Sequence, residues 1–411
     1  MAKPKSGEMR GRWVVLMVAL GILLPTSAWA EEAKREATHA EGKKIQVKGE
    51  NKANRLQTLC MAPSGEVLAL LGLPRYGTTE RDIPSEVQVF SPTGEKLRTY
   101  KVGFAGQAIN ASSDGHIFVA GSGKIAELAS TGSLLSEMEL PHLAELVKDK
   151  AALRKKAEEQ LKSEREMYQQ MVDQFKKQKE ELEKKDKDQL TANEKAQLRS
   201  IEATLKAYAP MLKEQNQRTV ESAMADLTAR LRQVNAVAVT DKEIFVATGE
   251  SKGYGFAVWR MTREFKEPKQ IISGLGGCCG QMDIQATADS VFVCENTKHK
   301  VFQFDREGKR LAGFGKKGRD GDPECFGSCC NPMNCCIAKD GSVYTAESEG
   351  YVKHFAADGK FLGPIGSVKI TGGCKNVGLG VSPDGDTLYF CDQPGSNIII
   401  LAKKTDTAAK P

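Results

Sequence analysis

The feature that most constrains this chain is an apolar pattern, Val/Ile-x-x-Phe/Leu-x-x-x-Gly-x-x-Leu, that recurs along it. The apolar residues of each copy flank a glycine-containing turn, as they do in an antiparallel hairpin. A second hairpin signal, with a turn such as Ser64-Gly65 or Asp340-Gly341, precedes the copies. The copies are Val87…Phe90…Gly94…Leu97, Ile125…Leu128…Gly132…Leu135, Val301…Phe304…Gly308…Leu311 and Val352…Phe355…Gly359…Leu362.

Two hairpins per repeat give four strands in roughly 40 to 50 residues, which is typical of a β-propeller blade. The sixth repeat ends at Ile398-Ile399-Ile400-Leu401 and lacks an outer strand. We expect residues 43–49 to supply that strand and close the ring, because closure removes exposed sheet edges. The third repeat is degenerate, with Val258-Trp259-Arg260-Met261 in place of the usual strand. The six predicted units are 53–102, 103–140, 233–276, 277–327, 328–371 and 372–403.

Residues 141–232 interrupt the repeats with a segment rich in Lys, Glu and Gln. Thr191-Ala192-Asn193-Glu194 reads as a capping box that opens a second helix, and Pro210 predicts a kink in it. We therefore expect an antiparallel helical hairpin, a coiled coil with arms about 60 Å long at 1.5 Å per residue. The fold class predicted is all-β, a six-bladed β-propeller with an inserted α-helical hairpin. Apolar residues at heptad spacing support the first arm: Leu161, Tyr168, Phe175 and Leu182.

Residues 1–30 have the pattern of a secretory signal peptide. A basic start is followed by the apolar run Trp13–Leu24 and by Ala28-Trp29-Ala30, so we expect cleavage after Ala30. The protein is then exported, either periplasmic or extracellular; an uncleaved anchor is the alternative. Residues 31–42 are expected to form a charged linker, residues 43–140 the closing strand and blades one and two, residues 233–403 blades three to six, and residues 404–411 a tail. The net charge of +6 does not indicate a nucleic-acid partner.

The eleven cysteines are unevenly placed. Cys278-Cys279 and Cys329-Cys330 stand at the same point of successive repeats, where one blade leads into the next, and Cys374 keeps one thiol at the following entrance. Cys294 and Cys391 end second strands, and Cys325 lies in a glycine-rich connection. All eight are expected on or near one face, from which the helical insert also emerges. Three more cysteines lie in innermost strands, where packing explains them: Cys60, Cys335 and Cys336.

Three chemistries remain open for the thiol-rich face. Disulfides would staple its loops, as is usual for exported proteins. A soft metal, Cu(I) or Zn(II), is the second possibility, and a labile vicinal disulfide is the third. The disulfide candidates are Cys278, Cys279, Cys294, Cys325, Cys329, Cys330, Cys374 and Cys391. The metal-ligand candidates are Cys278, Cys279, Cys329, Cys330, Cys374, Met282 and Met333.

The segment Val291–Lys309 resembles the NHL repeat, in which a Val-x-x-Phe strand leads into Asp-Gly-Lys; here that stretch is Val301-Phe302-Gln303-Phe304 followed by Asp305-Arg306-Glu307-Gly308-Lys309. The resemblance implies a propeller and says little about chemistry. Some similar six-bladed propellers are metal-dependent lactonases or lyases with polar residues lining the channel, which would make the polar channel-side residues candidates: Asn110, Asn235, Asp283 and Asn334.

From the sequence we expect a binding scaffold that presents its cysteine-rich face and helical arm to a protein or glycan. Self-association through the heptads of the insert is a further expectation. The alternative is a metal-dependent hydrolase or lyase at the channel. The sequence does not assign a cofactor. If one is bound, these residues would suit a divalent or soft metal ion.

Overall fold

A computed structural model describes residues 36–73, 83–186, 188–250, 255–278, 281–319, 322–370 and 376–405. All of its helices and strands belong to the unit Ala37–Pro411. The predicted signal peptide and two of the candidate thiols, Cys279 and Cys374, lie outside the described residues.

The described residues form twenty-four strands in six four-stranded antiparallel sheets, which confirms the predicted six-bladed propeller. Blade one is β2 Arg55–Met61, β3 Val67–Gly72, β4 Ser85–Phe90 and β5 Lys96–Val102; blade two is β6 Ala108–Ala111, β7 Ile117–Gly121, β8 Lys124–Leu128 and β9 Leu134–Glu139. Blade three is β10 Val234–Val239, β11 Glu243–Gly249, β12 Phe256–Thr262 and β13 Lys269–Leu275; blade four is β14 Asp283–Ala286, β15 Ser290–Glu295, β16 Lys300–Asp305 and β17 Arg310–Phe314. Blade five is β18 Asn334–Ile337, β19 Val343–Ala346, β20 Tyr351–Phe355 and β21 Phe361–Ser367; blade six is β22 Val377–Val381, β23 Thr387–Asp392, β24 Asn397–Lys403 and β1 His39–Gln46.

The N-terminal strand β1 closes the ring as the outermost strand of blade six. It pairs antiparallel with β24, with His39 opposite Lys403 and Gln46 opposite Asn397. The strand lies earlier than the predicted 43–49, so the predicted charged linker 31–42 is wrong at its end, where His39–Gly42 is strand. Most of its side chains are exposed, because an outermost strand is held mainly by backbone pairing. Its sequence therefore resembles that of a charged linker.

The degenerate third repeat still forms a complete blade. The unusual Val258-Trp259-Arg260-Met261 lies within β12, which pairs in register with β11 along its whole length. Val258 and Met261 are buried. The strand therefore still places apolar side chains between its own blade and the neighbouring blades, which is what a blade needs.

The core lies between successive blades, where their faces pack against each other. Second strands such as β3, β7 and β15 are buried at every position, whereas the outermost strand β9 is almost entirely exposed. The innermost strand of each blade contacts the innermost strands of the two neighbouring blades, which makes the ring continuous. Strands buried on both faces enclose whatever side chains they carry, including thiols.

The insert forms four helices: α1 Pro141–Lys148, α2 Lys150–Glu183, α3 Ala192–Gln217 and α4 Val220–Leu231. The predicted capping box at Thr191 is present, with its hydroxyl accepting from the Glu194 amide. The first arm, α2, is 34 residues and therefore about 51 Å long. The second arm runs through Pro210 and breaks instead at Arg218-Thr219, where Arg218 is extended and Thr219 caps α4.

The base of the hairpin is built into blades two and three. Gly123, in the turn between β7 and β8, donates to the Arg232 carbonyl at 2.7 Å and accepts from the Leu140 amide at 2.8 Å. Leu143, on α1, is fully buried, and a core cluster joins the hairpin base to both blades through Leu153, Leu227, Leu231, Phe118 and Val246. The insert therefore leaves the propeller on the face that carries the turns between second and third strands.

Among the described residues, no helix has the length and apolar character needed to cross a membrane.

Candidate functional site

The central channel opens into a cavity of about 230 Å³ lined by the innermost strands. All four polar residues that the sequence singled out for the channel line this cavity. Three of them also tie neighbouring blades together. Asp283 Oδ2 accepts from the Cys335 amide at 2.9 Å, and Asn334 Oδ1 accepts from the Leu379 amide at 2.8 Å. Asn110 donates to the Val237 carbonyl at 3.0 Å. The four residues are Asn110, Asn235, Asp283 and Asn334.

Asp283 is the electrostatically unusual member of this set. Burial raises its pKa to about 7, against the opposing effect of the hydrogen bond that the Cys335 amide donates. The ligand atoms of Asp283, Cys294 and Cys335 lie within 4.8 Å of one another, all buried. Burial also raises the pKa of the Cys294 thiol well above its ordinary value. The Cys294 thiol therefore stays protonated at neutral pH, whereas Asp283 is only about half protonated there, and the cluster is suited to packing and hydrogen bonding.

The cavity offers little to a hard divalent cation. Among its described lining residues Asp283 is the one carboxylate, and its oxygen already accepts from a backbone amide. Ions such as Ca²⁺ take six to eight oxygen ligands, with several carboxylates. The neighbouring polar groups are amides, a hydroxyl and thiols, which include Cys60 and Cys336.

The second feature is a cluster of three thiols where blades three, four and five meet at loops. The Sγ atoms of Cys278, Cys329 and Cys330 all lie within 4.8 Å of one another, and those of Cys329 and Cys330 are 3.2 Å apart. We call these three residues the thiol cluster. Cys330 is fully buried, Cys278 is half-buried and Cys329 is exposed, so the cluster has a closed inner side and an open outer side. The prediction that entrance thiols of successive blades share one location holds for these three residues.

Buried polar side chains fix the loop that carries Cys329 and Cys330. Glu347 accepts from the Gly327 amide at 2.9 Å and is paired with Lys353, which donates to the Cys325 carbonyl at 2.6 Å. Asn331 accepts from the Ser348 amide at 2.9 Å and donates to the Gly327 carbonyl at 3.0 Å.

One further contact and a strained backbone conformation occur at Ser328, the residue before the cysteines. The ring of His299 lies 3.2 Å from the Ser328 carbonyl. Ser328 itself has a φ of 57°, a left-handed conformation that costs a non-glycine residue about 1 kcal/mol or more. The loop around Cys329 is thus held in one strained, well-defined shape.

A matching arrangement holds Cys278. The Asn296 side chain accepts from the Cys278 amide at 2.8 Å and donates to the Gln281 carbonyl at 3.2 Å. Glu295 accepts from the Gly276 amide at 2.8 Å. Glu295 ends the second strand of blade four and Glu347 directly follows that of blade five, so the same position of the repeat supports both loops.

The remaining sulfur candidates lie elsewhere. Among the described cysteines outside the thiol cluster, the structure records free thiols, none of them in a disulfide: Cys60, Cys294, Cys325, Cys335, Cys336 and Cys391. Cys294 and Cys391 are fully buried and do not lie on the face, because second strands are enclosed between blades. Cys325 is buried against Gly318, below the loop surface. Of the eight thiols expected on or near one face, these three are therefore not exposed on it.

The two methionines proposed as ligands are fully buried. Met282 packs in the core cluster of blades three and four, and Met333 packs beside Cys330 with its sulfur 3.5 Å from the Asn296 amide nitrogen. Both positions are those of packing residues.

Sequence reasoning missed the polar residues behind the loops: Asn296, Asn331, Glu347 and Lys353. The one available signal was the acidic residue at the end of the second strand in blades four, five and six: Glu295, Glu347 and Asp392. Cys335 was assigned to packing alone, but it also belongs to the buried group with Asp283.

The sequence matches no protein-family model, and none of the curated proteins matches it. Solved propellers do resemble it in fold. Streptogramin B lyase has a TM-score of 0.42 at 9% identity, covering 90% of this chain and 100% of that one. Regucalcin, a calcium-binding protein from Agrobacterium tumefaciens, has a TM-score of 0.43 at 11% identity, covering 85% and 93%. A protein of unknown function from Bacteroides thetaiotaomicron has a TM-score of 0.49 at 10% identity, covering 89% and 76%. At such identities the likeness concerns the fold alone.

Proposed function

We propose that this protein is an exported, NHL-like binding scaffold that engages a protein partner with its helical hairpin and the loop-rich face beside it. The observation that carries the proposal is the way the hairpin is anchored. Its base shares a core with two blades, so the propeller holds the arm in a defined direction.

The arm is also stiff above its base. Arg165, on α2, donates to the carbonyls of Gln215 at 3.2 Å and of Arg218 at 2.7 Å, which satisfies the end of α3 where the second arm breaks. Arg218 in turn pairs with Glu164 and Asp226. The break between α3 and α4 at Arg218 is therefore held against α2 by these contacts, and it does not act as a hinge.

Aromatic packing extends the contact between the arms further out. The ring centroid of Tyr208 lies 6.4 Å from that of Tyr168 and 6.3 Å from that of Phe175. A preorganised arm loses little conformational freedom on binding, which lowers the entropic cost of capturing a partner. Two exposed methionines on this arm, Met167 and Met211, give it apolar contact points.

The enzyme alternative receives less support from the geometry. A metal-dependent hydrolase or lyase would need several oxygen ligands with enough negative charge to hold a divalent ion, and the described lining residues supply one carboxylate, Asp283, beside neutral amides. A scaffold needs only a rigid surface, which the closed ring and the clamped arm provide.

Site-specific photocrosslinking in the native organism tests the proposal. A photoreactive amino acid is placed at Met167 or at Met211, and the control position is Leu311 on the outer strand of blade four. The exposed fractions of these side chains are 49%, 44% and 52%, so the three positions are matched in accessibility. We expect the same protein adduct at both arm positions and no such adduct at Leu311.

A shortened-arm variant provides the second measurement. Residues 169–212 are replaced by a short Gly-Ser loop, which preserves the base contacts, and the partner identified by crosslinking is titrated against both proteins. Affinity that is unchanged by this deletion, or equal crosslinking at all three positions, would contradict a role for the arm. An adduct with a second copy of this chain would identify the partner as the protein itself.

A further inference from the structure

We infer that the thiol cluster formed by Cys278, Cys329 and Cys330 is a binding site for one thiophilic metal ion, Cu(I). This site is separate from the partner-binding arm, and the inference does not depend on the proposed scaffold function.

The spacing of the thiols fits a single ion. Metal–thiolate bonds of about 2.3 Å place two sulfurs of one ion roughly 3.5 to 4 Å apart. The three Sγ atoms lie within 4.8 Å of one another, and the closest pair is 3.2 Å apart. Side-chain rotations that move each Sγ atom by less than about 1 Å are therefore enough to bring all three onto one ion.

The loops are organised before any ion arrives. The backbone around Cys329 and Cys330 is fixed by Asn331 and Glu347, and that around Cys278 is fixed by Asn296. Asn331, Glu347 and Asn296 are buried to 99% or more. Buried polar groups placed behind a set of thiols are the kind of outer-shell support that orients ligands in metal sites.

The surroundings favour a soft, monovalent ion. Cys330 packs on an apolar floor that includes Met333, Ile365 and Val368, whereas Cys329 is open to solvent and provides a path for the ion to enter. Among the described residues the group offers three thiolates and no carboxylate or imidazole, which suits Cu(I), since thiolate sulfur selects soft ions. Structural Zn(II) sites are usually closed by four ligands.

Binding is a ligand exchange without oxidation or reduction. Each of the three thiols releases one proton and forms one sulfur–copper bond, so three protons leave for each ion that binds. The ion remains Cu(I) throughout, and the bound group carries two net negative charges.

Anaerobic titration of Cu(I) in competition with a chromogenic Cu(I) chelator tests the site on the full-length, reduced protein. We expect one ion per chain, with X-ray absorption showing coordination by sulfur alone. The exposed Cys329→Ser and the half-buried Cys278→Ser should each weaken binding on the order of 100-fold or more, since each removes a ligand. The control is Cys60→Ser, which changes a half-buried cysteine in the channel and should leave binding unchanged. Circular dichroism confirms that each variant is folded.

Wild-type affinity in Cys329→Ser would overturn the inference, as would oxygen or nitrogen ligands in the absorption spectrum. Zn(II) that Cu(I) fails to displace would overturn the choice of metal. A Cys329–Cys330 disulfide in protein recovered from its native compartment, with no copper bound, would assign the pair to redox chemistry instead. None of these results affects crosslinking at the arm, so the two proposals fail independently.

Discussion

The buried carboxylate of Asp283 predicts a pH dependence of stability that one substitution should remove. Its folded-state pKa is about 7, against an ordinary value of 3.8, and burial is the main cause. The folded state thus binds this proton more tightly than the unfolded state. The stabilising contribution is fully present below pH 3.8 and is lost as the pH rises through about 7. About three pKa units at 1.36 kcal/mol each give roughly 4 kcal/mol as the size of this loss.

Asp283→Asn should abolish that loss because it removes the charge and keeps the hydrogen bond. The repeat provides the precedent, since Asn334 occupies the equivalent position in blade five and accepts from the Leu379 amide in the same way. We expect the variant to be more stable than the wild type at pH 8 by up to about 4 kcal/mol, and the difference to shrink toward pH 4. Urea unfolding from pH 4 to pH 8 measures both curves.

The reciprocal substitution, Asn334→Asp, is the matched control and should introduce a pH-dependent loss of the same sign. Parallel stability curves for the wild type and Asp283→Asn across this range would refute the reasoning. That result would mean that channel water hydrates the carboxylate and keeps its pKa near 3.8.

Three further outcomes follow from particular contacts. Lys353→Met leaves the buried Glu347 carboxylate without its cation and should lower the free energy of unfolding by about 3–5 kcal/mol at pH 8. Burial already raises the pKa of Glu347, so this loss should become smaller at acid pH. Combining Lys353→Met with Glu347→Gln should recover part of the lost stability, as measured by urea unfolding. Thr191→Ala removes the cap of α3 and should cost about 1 kcal/mol, with faster hydrogen exchange confined to the hairpin tip; equal exchange across the whole molecule would contradict this. Removing residues 39–46 leaves β24 as an open edge. We expect a lower midpoint of thermal unfolding and aggregates that size-exclusion chromatography detects. A monomer with an unchanged midpoint would show that β1 is dispensable.

The calcium-binding and lyase propellers that resemble this chain do not transfer their chemistry to it. Their identities are 9% and 11% and their TM-scores 0.42 and 0.43, so no chemistry of this chain is inferred from them. The distinguishing features here are the clamped hairpin and the thiol cluster, and both are built from segments outside the repeated strand pattern.

Local periodicity is what the sequence alone determined. The six units, the returning N-terminal strand and the helical insert were predicted from apolar alternation, turn residues and heptad spacing. These patterns extend over only a few residues, so they can be recognised without knowledge of the tertiary structure. The degenerate strand at Val258 formed as well, because burial of its apolar residues was enough. The position of β1 was predicted four residues too late, since an exposed outer strand carries little pattern.

Tertiary structure decided everything that depends on which residues meet across blades. Cys278, Cys329 and Cys330 come together on loops of different blades, but Cys294 joins Asp283 and Cys335 inside the ring. The deciding factor is the packing of one blade face on the next, which encloses second strands completely and leaves loops open. That packing also sets the raised pKa of Asp283 and the buried network behind the loops, because both arise from desolvation that no local pattern encodes.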